Sequence, residues 1–218
     1  MSWSTYGDNC ADFYDEIYGP PQANVIRALC RLARGGSVLE LGLATGRTAL
    51  ALLAKGLTVT GIESSSAMLA QLRRKPGADR IRIVEGDFAT VRLPELFDLV
   101  FALVDTFCLL TTRQSQAHCL QHVAEVLKSS GVFVIEVCRP FDAEAEITDE
   151  GIRSSVRHEL ETRMSRRVYE VELLYPEVED LDALAAKAGL VLKERHGDWC
   201  GSPYKPEAGR HVSVYGLA

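Results

Sequence analysis

Residues 37–50, SVLELGLATGRTAL, combine a carboxylate and two glycines at a spacing that suits ligand binding. A short apolar run reaches Glu40, and Gly42 and Gly46 then precede an alanine- and leucine-rich segment with a helical pattern. A backbone without Cβ can turn sharply and let a ligand approach within contact distance. The pattern predicts a strand, a tight glycine turn and a helix, the first half of a nucleotide-binding βαβ unit.

More polar side chains come at the ends of the apolar runs that follow. Glu63 ends the second run, Asp87 follows the third within the triplet Gly-Asp-Phe, and Asp105 ends the fourth. In open α/β sheets, ligands bind beyond the carboxyl ends of the strands. We therefore expect ligands at the sheet edge where these side chains lie.

The elements that position these side chains alternate between apolar strands and helices. This alternation indicates a parallel sheet covered by helices on both faces. A helical pattern at 22–34 precedes the first strand, and a polar, arginine-rich stretch at about 147–174 predicts one or two inserted strands over the top edge of the sheet. The predicted strands are 37–42, 58–62, 81–84, 97–105, 132–137, 190–196 and 210–216. The predicted helices are 46–55, from 67 onward after cap residues at 64–66, from 111 or 112 to about 128, and 177–188.

Length and charge narrow the classes of function. The 218 residues suit one domain with a full core. The net charge of -6 argues against the basic face of a nucleic-acid binder. No apolar run reaches the roughly 18 residues that span a bilayer, and the acidic, aromatic N-terminus does not match a secretion signal. We expect a cytoplasmic protein with a small-molecule partner and no nucleic-acid or membrane partner, and we leave open whether it is a monomer or a homodimer.

The glycine turn can serve either of two nucleotide cofactors. A dinucleotide requires G-x-G-x-x-G, in which the third glycine lets the helix pack closely on the strand. The corresponding positions here are Gly42, Ala44 and Arg47, so two of the three differ. This mismatch argues against an NAD(P)-dependent oxidoreductase.

The actual pattern, E-L-G-L-A-T-G with Ala44 at the middle glycine, resembles the first motif of the class I S-adenosylmethionine-dependent methyltransferases. Glu63, Gly86-Asp87-Phe88 and the strand that opens at Phe97 follow in the family's order, so the resemblance covers about residues 37–137. It implies a Rossmann-like fold with a seven-stranded, mostly parallel sheet, an antiparallel last strand and a small lid. The cofactor implied is S-adenosyl-L-methionine, with S-adenosyl-L-homocysteine as product.

The resemblance also implies roles for individual residues around the cofactor. Glu63 is expected to accept hydrogen bonds from the ribose hydroxyls, Asp87 from the adenine amino group, and Phe88 to pack on the adenine ring. The full set of expected cofactor-binding residues is Tyr14, Glu40, Gly42, Ala44, Thr45, Gly46, Glu63, Ser64, Met68, Asp87, Phe88, Leu103 and Val104.

The N-terminal YDEIY and the C-terminal tail look like the branch of the family that methylates small molecules such as amino sugars, glycine and natural products. In that branch an N-terminal helix covers the cofactor, which implies a cap at 1–34 and a methyltransferase domain at 35–218 whose insert forms part of the acceptor lid. Tyr14 and Tyr18 are candidates to line the methyl-transfer channel, although two aromatic residues that merely pack a terminal helix remain an alternative.

Methyl transfer from a sulfonium needs mainly alignment and exclusion of water, and a base only if the nucleophile arrives protonated. The candidate catalytic residues are His196, His158 and Asp105, and the candidate substrate residues are Tyr18, Asp105, Arg139 and Trp199. Each follows a strand end or lies in the N-terminal segment or the insert. For each of them, an ordinary surface or packing role is the alternative.

Two further groups have simpler interpretations. His118 and His122 are spaced to share a helix face, but the apolar stripe of the predicted helix lies opposite, so we expect both to face solvent and predict no metal site.

The arginines of the insert alternate with glutamates, which is typical of a solvated lid strand, and recognition of an anionic acceptor is the alternative. The arginine cluster of the insert consists of Arg153, Arg157, Arg163, Arg166 and Arg167.

The sequence as a whole predicts an enzyme that transfers a methyl group from S-adenosylmethionine to a nitrogen or oxygen of a small molecule, such as a secondary metabolite. The alternative from another class is a protein of the same fold that binds the cofactor without transferring the methyl group, as a regulator or assembly partner. The motif residues Glu40, Gly42, Gly46, Glu63 and Asp87 argue for cofactor binding under both hypotheses.

Overall fold

The structure, a computed structural model, describes residues 3–138, 145–161 and 166–218, with side chains described within 6–138, 145–156 and 170–218. The strands are β1 (Ser37–Leu41), β2 (Thr58–Glu63), β3 (Arg82–Glu85), β4 (Phe97–Ala102), β5 (Leu127–Cys138), β6 (Glu146–Thr148), β7 (Gly151–Glu161), β8 (Arg166–Tyr175), β9 (Leu190–His196) and β10 (Arg210–Leu217). The α-helices are α1 (Trp3–Cys10), α2 (Tyr14–Tyr18), α3 (Ala23–Ala33), α4 (Arg47–Leu53), α5 (Ser66–Arg73), α6 (Arg113–Val126) and α7 (Val178–Lys187). Short 3₁₀ turns lie at Ala78–Arg80, Thr106–Leu109 and Pro206–Ala208.

Seven strands form one sheet with the spatial order β3-β2-β1-β4-β5-β10-β9. The first five strands are parallel, and β10 runs antiparallel to both β5 and β9. The two strands predicted at 190–196 and 210–216 are therefore confirmed, and so is the mostly parallel sheet with an antiparallel last strand. The carboxyl ends of β1, β2, β4 and β5 meet at one edge of this sheet.

Apolar layers cover both faces of the sheet, because residues that alternate along each strand point to opposite sides. On one face, Val38, Leu99 and Val134 pack with helices α3, α4 and α5. On the other face, Leu39, Val100 and further residues pack with α6 and α7. Among the described residues, no helix has the length and apolar character needed to cross a membrane.

Serine and threonine side chains begin two helices, where the sequence predicts helix starts. The Ser65 hydroxyl accepts a hydrogen bond from Met68 N at 3.2 Å at the start of α5. The Thr112 hydroxyl accepts one from Ser115 N at 3.1 Å at the start of α6. Each cap satisfies a backbone donor that the helix itself leaves unpaired.

The predicted boundary between α6 and β5 is wrong. The helix ends at Val126 rather than near residue 128, and β5 begins at Leu127, which pairs with Phe97. The register then shifts, so that Leu99 pairs with Val132. Residues 129–131, which separate the predicted helix from the predicted strand, are instead an irregular part of β5.

The insert is also larger than predicted. Strands β6, β7 and β8 form a separate antiparallel sheet of three strands, where one or two strands were expected. Its apolar side chains Ile152, Val171 and Leu173 join the core on the α6 and α7 side of the main sheet. The insert thus has a buried face in addition to its polar one.

The prediction that both histidines of α6 face solvent is wrong for His122. His122 is only 1% exposed, and its Nδ1 lies 3.4 Å from the carbonyl oxygen of Phe88. Burial lowers the pKa of this imidazole. His122 shares the buried side of α6 with Cys119 and Val126, because the loop after β3 covers that side.

Candidate functional site

The glycine turn after β1 holds three residues in the left-handed backbone region. Gly42, Ala44 and Gly46 have φ values of 71°, 49° and 74°. A Cβ on Gly42 would lie 2.5 Å from Cγ2 of Thr106, so this position excludes any side chain. Ala44 adopts the left-handed conformation at the place where the family motif has its middle glycine, which costs some strain for a residue with a Cβ.

Two buried carboxylates flank this turn. Glu63, at the end of β2, accepts hydrogen bonds from Ala44 N at 2.7 Å, Ser65 N at 2.8 Å and Ser64 N at 3.0 Å. Glu40, at the end of β1, has one oxygen, Oε2, that is buried and has no hydrogen-bond partner. Burial raises the pKa of both carboxyl groups, in Glu40 well above its ordinary value.

Three tyrosines from α1 and α2 lie over the turn. The hydroxyls of Tyr6 and Tyr18 are 3.1 Å apart, and the rings of Tyr14 and Tyr18 have centroids 4.5 Å apart. The guanidinium of Arg47 lies 5.2 Å from the centre of the Tyr18 ring and donates a hydrogen bond to the carbonyl of Tyr18 at 2.9 Å. Burial raises the pKa of all three phenols, so they are uncharged hydrogen-bonding groups.

The end of β4 brings Asp105 to the same space. Val104 and Asp105 are consecutive residues with positive φ, 48° and 62°. The Asp105 carboxylate accepts a hydrogen bond from Cys138 N at the end of β5. Burial raises the pKa of Asp105 to about 7, against the opposing effect of hydrogen bonds from Cys138 N and the Tyr175 hydroxyl.

Together these elements enclose a cavity of about 270 Å³ at the carboxyl edge of the sheet. The second sheet supplies an apolar part of its wall, through Val156, Val171 and Leu173. The rest of the wall is formed by Tyr6, Gly7, Tyr14, Tyr18, Gly42, Ala44, Glu63, Met68, Phe88, Val104, Asp105, Thr106, Leu109, Cys138 and Tyr175. A smaller recess, which shares Tyr14, Gly42, Ala44, Val104 and Thr106 with it, is also lined by Glu40 and Leu103.

The structure therefore brings most of the expected cofactor-binding residues to one place, but not all of them. Thr45, Gly46, Ser64 and Asp87 are not among the described residues of either wall. Thr45 Oγ1 donates to Asp15 at 2.5 Å, Ser64 N donates to Glu63, and Asp87 Oδ1 accepts a hydrogen bond from Ala89 N at 2.7 Å. Gly46 faces Leu72 of α5, so the glycine serves helix packing.

Two candidates expected near the acceptor lie elsewhere. His196 and Trp199 line a separate cavity between α3 and the β9–β10 pair, and neither is among the described residues of the first cavity's wall. His196 Nε2 lies 3.0 Å from Glu194, and the Trp199 indole donates to Glu136 at 2.8 Å. The C-terminal loop runs down the α3 side of the sheet, which carries both side chains away from the tyrosines.

Two further candidates cannot be placed. Arg139 and the side chain of His158 lie outside the described residues. Of the arginine cluster, Arg153 has a described side chain, which pairs with Glu150 at 3.4 Å. Within the described part of the chain, no group of three His, Cys, Asp or Glu side chains is arranged to hold a metal ion.

Sequence reasoning missed several residues of the cavity wall. Tyr6 belongs to α1, which lies in the expected N-terminal cap although Tyr6 itself was not a candidate, and Tyr175 ends β8. The alternation of Val171, Leu173 and Tyr175 at every second residue is the signal that a strand of the insert turns one face to the interior. Glu136 on β5, which lies next to the wall but is not part of it, carries no such signal, because its partners Trp199 and Arg210 are far away in the chain.

A protein-family model described as "Methyltransferase domain" matches residues 38–131. An uncharacterized methyltransferase from Geobacillus thermodenitrificans (strain NG80-2) is 32% identical over 171 residues, which cover 77% of this chain and 78% of the relative. The cypemycin N-terminal methyltransferase from Streptomyces sp is 28% identical over 63% of this chain and 58% of its own. An uncharacterized methyltransferase from Geobacillus sp. (strain WCH70) is 40% identical over 94 residues, so the chain spans less than half, 44%, of that relative.

Solved structures agree over nearly the whole chain. The CcbJ methyltransferase from Streptomyces caelestis has a TM-score of 0.85 and 32% identity, with 98% of each chain covered. The glycopeptide N-methyltransferase MtfA, solved with S-adenosylmethionine, shares the fold with a TM-score of 0.68 and 19% identity over 94% of this chain and 90% of its own. With the glycine turn, the acidic strand ends and the sheet order already described, these similarities show that the chain belongs to the class I S-adenosylmethionine-dependent methyltransferases.

Proposed function

We propose that this enzyme methylates the nitrogen of a small-molecule amine of the natural-product type. The observation that carries the proposal is Asp105, a carboxylate with a pKa near 7 in a cavity of aromatic and apolar side chains. A relative is named as a methyltransferase of the N-terminus of cypemycin, and MtfA, which shares the fold, is named as an N-methyltransferase of a glycopeptide. An oxygen acceptor is the alternative outcome of the test given below.

The residues around the glycine turn suit the cofactor. The unpaired Oε2 of Glu40 lines the small recess and suits a cationic group such as the ammonium of the methionine moiety. Glu63 and Phe88 lie in the cavity wall, where Glu63 can accept hydrogen bonds from the ribose hydroxyls and Phe88 can pack on the adenine ring. We assign these three residues and the turn at Gly42 and Ala44 to S-adenosylmethionine, which supplies an electrophilic methyl group on sulfur.

The protein side of the reaction is positioning and proton removal. An amine reaches the site mostly protonated and must lose a proton before its lone pair can attack. A base works best when its pKa lies near the working pH, as that of Asp105 does. The hydroxyls of Tyr6 and Tyr18 orient the acceptor, and the apolar wall of the second sheet excludes water.

We further propose that residues 1–34 cap the cofactor and that the insert forms part of the acceptor lid. Asp8 Oδ1 accepts a hydrogen bond from the Ser65 hydroxyl at 2.6 Å, and Asp15 pairs with Lys75 at 2.5 Å, so both N-terminal helices are tied to the domain beneath. The cytoplasmic location and the choice between monomer and homodimer stay predictions.

The test is methyl transfer with a panel of matched amines and phenols. We expect calorimetric titration to show micromolar binding of both S-adenosylmethionine and S-adenosylhomocysteine, and release of S-adenosylhomocysteine with amines. Turnover of phenols alone would move the assignment to oxygen. Binding of the cofactor without turnover of any acceptor would favour the regulatory alternative.

A further inference from the structure

Glu136 is a buried acid at the carboxyl end of β5, only 4% exposed, outside the cavity wall. Its Oε1 accepts hydrogen bonds from Trp199 Nε1 at 2.8 Å and from Arg210 Nη2 at 2.7 Å. Its Oε2 accepts one from the backbone N–H of Val104 at 3.2 Å. One carboxylate thus joins β5, β10, the C-terminal loop and the end of β4.

The segment that Glu136 holds is strained. Val104 and Asp105 both have positive φ, and a β-branched residue such as Val104 rarely adopts this conformation. Such residues persist only where the surrounding structure determines them. Glu136 bonds both residues, Val104 N through its side chain and Asp105 N, at 3.4 Å, through its carbonyl oxygen. Cys138 N and the turn at Thr106–Leu109 also bond Asp105.

We infer that Glu136 is a positioning residue of the acceptor site, whose carboxylate holds Val104 and Asp105 in the conformation that directs the Asp105 carboxylate into the cavity. The inference rests on the proposed function of Asp105 as the base. It also gives a role to Trp199 and Arg210, which fix the carboxylate of Glu136 from the side opposite Val104. None of these three residues needs to touch the acceptor.

Charged and titratable groups from several elements act on Asp105. The negative charge of Glu136 on β5 raises its pKa, and the positive charge of Arg210 on β10 lowers it. Tyr175 of β8 donates a hydrogen bond to it, which also lowers its pKa. Tyr18 of α2 and the thiols of Cys108 and Cys138 lie close to it, and all three have raised pKa values, so they are uncharged neighbours.

The experiment measures the titration of Asp105 directly, in the protein without cofactor or acceptor. The chain is labelled with ¹³C at aspartate carboxyls, and the signal that is lost in Asp105→Asn is followed by NMR from pH 4 to 9. Glu136→Gln keeps the size of the side chain but removes its charge and one acceptor atom. Trp199→Phe is the matched control, because it removes one hydrogen bond to Glu136 and leaves the carboxylate and its bond to Val104 in place.

We expect Glu136→Gln to lower the titration midpoint of the Asp105 carboxyl by at least about one pH unit. The substitution removes a nearby negative charge and loosens the segment that keeps Asp105 buried. Trp199→Phe should lower the melting temperature and shift the titration midpoint of Asp105 clearly less than Glu136→Gln does, because the charge of Glu136 and its bond to Val104 remain. An unchanged midpoint in a folded Glu136→Gln variant would overturn the inference. Equal shifts in both variants would also overturn it, because any loosening of the loop would then have the same effect.

Arg210→Gln keeps the inference testable if Glu136→Gln does not fold. This change removes the cation that faces Glu136 and Asp105, so the midpoint of Asp105 should rise. A fall or no change would contradict the arrangement. Because none of these titrations involves methyl transfer, failure of this inference is distinguishable from failure of the proposed function, which the acceptor panel tests.

Discussion

At the ends of β1 and β2 the candidate site is held largely by backbone N–H groups, whereas at the ends of β4 and β5 it also depends on the side chain of Glu136, which bonds residues from distant parts of the chain. Glu63 receives three backbone N–H groups from residues 44, 64 and 65. Val104 and Asp105, by contrast, depend on Glu136 and Cys138, and Glu136 in turn depends on Trp199 and Arg210.

The two halves of the site, one at the ends of β1 and β2 and one at the ends of β4 and β5, should tolerate amino-acid substitution differently. A turn built from backbone conformation accepts Ala44 in place of glycine, because Ala44 still reaches the left-handed region. A half built from a chain of side-chain contacts loses several contacts when one member changes. We therefore expect substitutions in the first half to affect cofactor affinity and substitutions in the second half to affect turnover.

The largest effect is expected for Gly42→Val, which breaks the backbone half. The new side chain would meet Thr106 Cγ2 and would sit at φ +71°, so binding of S-adenosylhomocysteine in calorimetry should be lost. The control is Gly189→Val, at φ +83° with nothing within 4 Å of its Cβ position, which carries similar backbone strain without the clash. Unchanged affinity in Gly42→Val would contradict the placement of the cofactor.

Asp105→Asn tests the side-chain half. Removal of the base should lower kcat by about 10²–10⁴-fold and leave S-adenosylhomocysteine affinity unchanged. In the wild type, kcat should rise as pH passes about 7, because only the ionised carboxylate accepts a proton, and the variant should lack this rise. Asp79→Asn, an exposed acid before β3, serves as the control. A variant that keeps both its rate and its pH profile would exclude Asp105 as the base.

Glu63→Ala should have an intermediate effect confined to affinity. Loss of a charged hydrogen-bond partner is expected to weaken S-adenosylmethionine binding by about 1–3 kcal/mol. Glu85→Ala is a close control, because Glu85 pairs with Glu63 in the register of β2 and β3 but is exposed. A loss below a few tenths of a kcal/mol by calorimetry would show that Glu63 does not contact the ribose.

The smallest effect is expected for Glu40→Gln, measured as melting temperature without cofactor. Because the pKa of Glu40 is raised in the folded state, the unfolded chain loses this proton first as pH rises, and stability falls. Glu40→Gln should therefore raise Tm at pH 8 by about 2–4 °C, which corresponds to about 1 kcal/mol in the free energy of unfolding of a chain of this size. Near pH 4 the substitution should have little effect on Tm. A lower Tm at both pH values would show that the carboxylate is well satisfied without the cofactor.

Much of the fold could be predicted because its signals are local. The apolar runs at β1, β2 and β4 and the caps at Ser65 and Thr112 all lie within a few residues of the elements they define. The start of β5 was missed because Leu127 joins the strand through its pairing with Phe97, thirty residues earlier in the chain. His122 was missed because the loop that buries it comes from after β3.

The strand–turn–helix unit and the family can be recognised in the sequence, because glycine conformation and strand ends are properties of short contiguous segments. The set of polar residues that share the cavity emerges only when the chain is folded. Folding brings Asp105 into the wall, carries His196 and Trp199 to another cavity, and joins Trp199 to Glu136, 63 positions away. The physical reason is that burial, charge pairs and a strained left-handed segment depend on neighbours in space, which residue spacing along the chain does not specify.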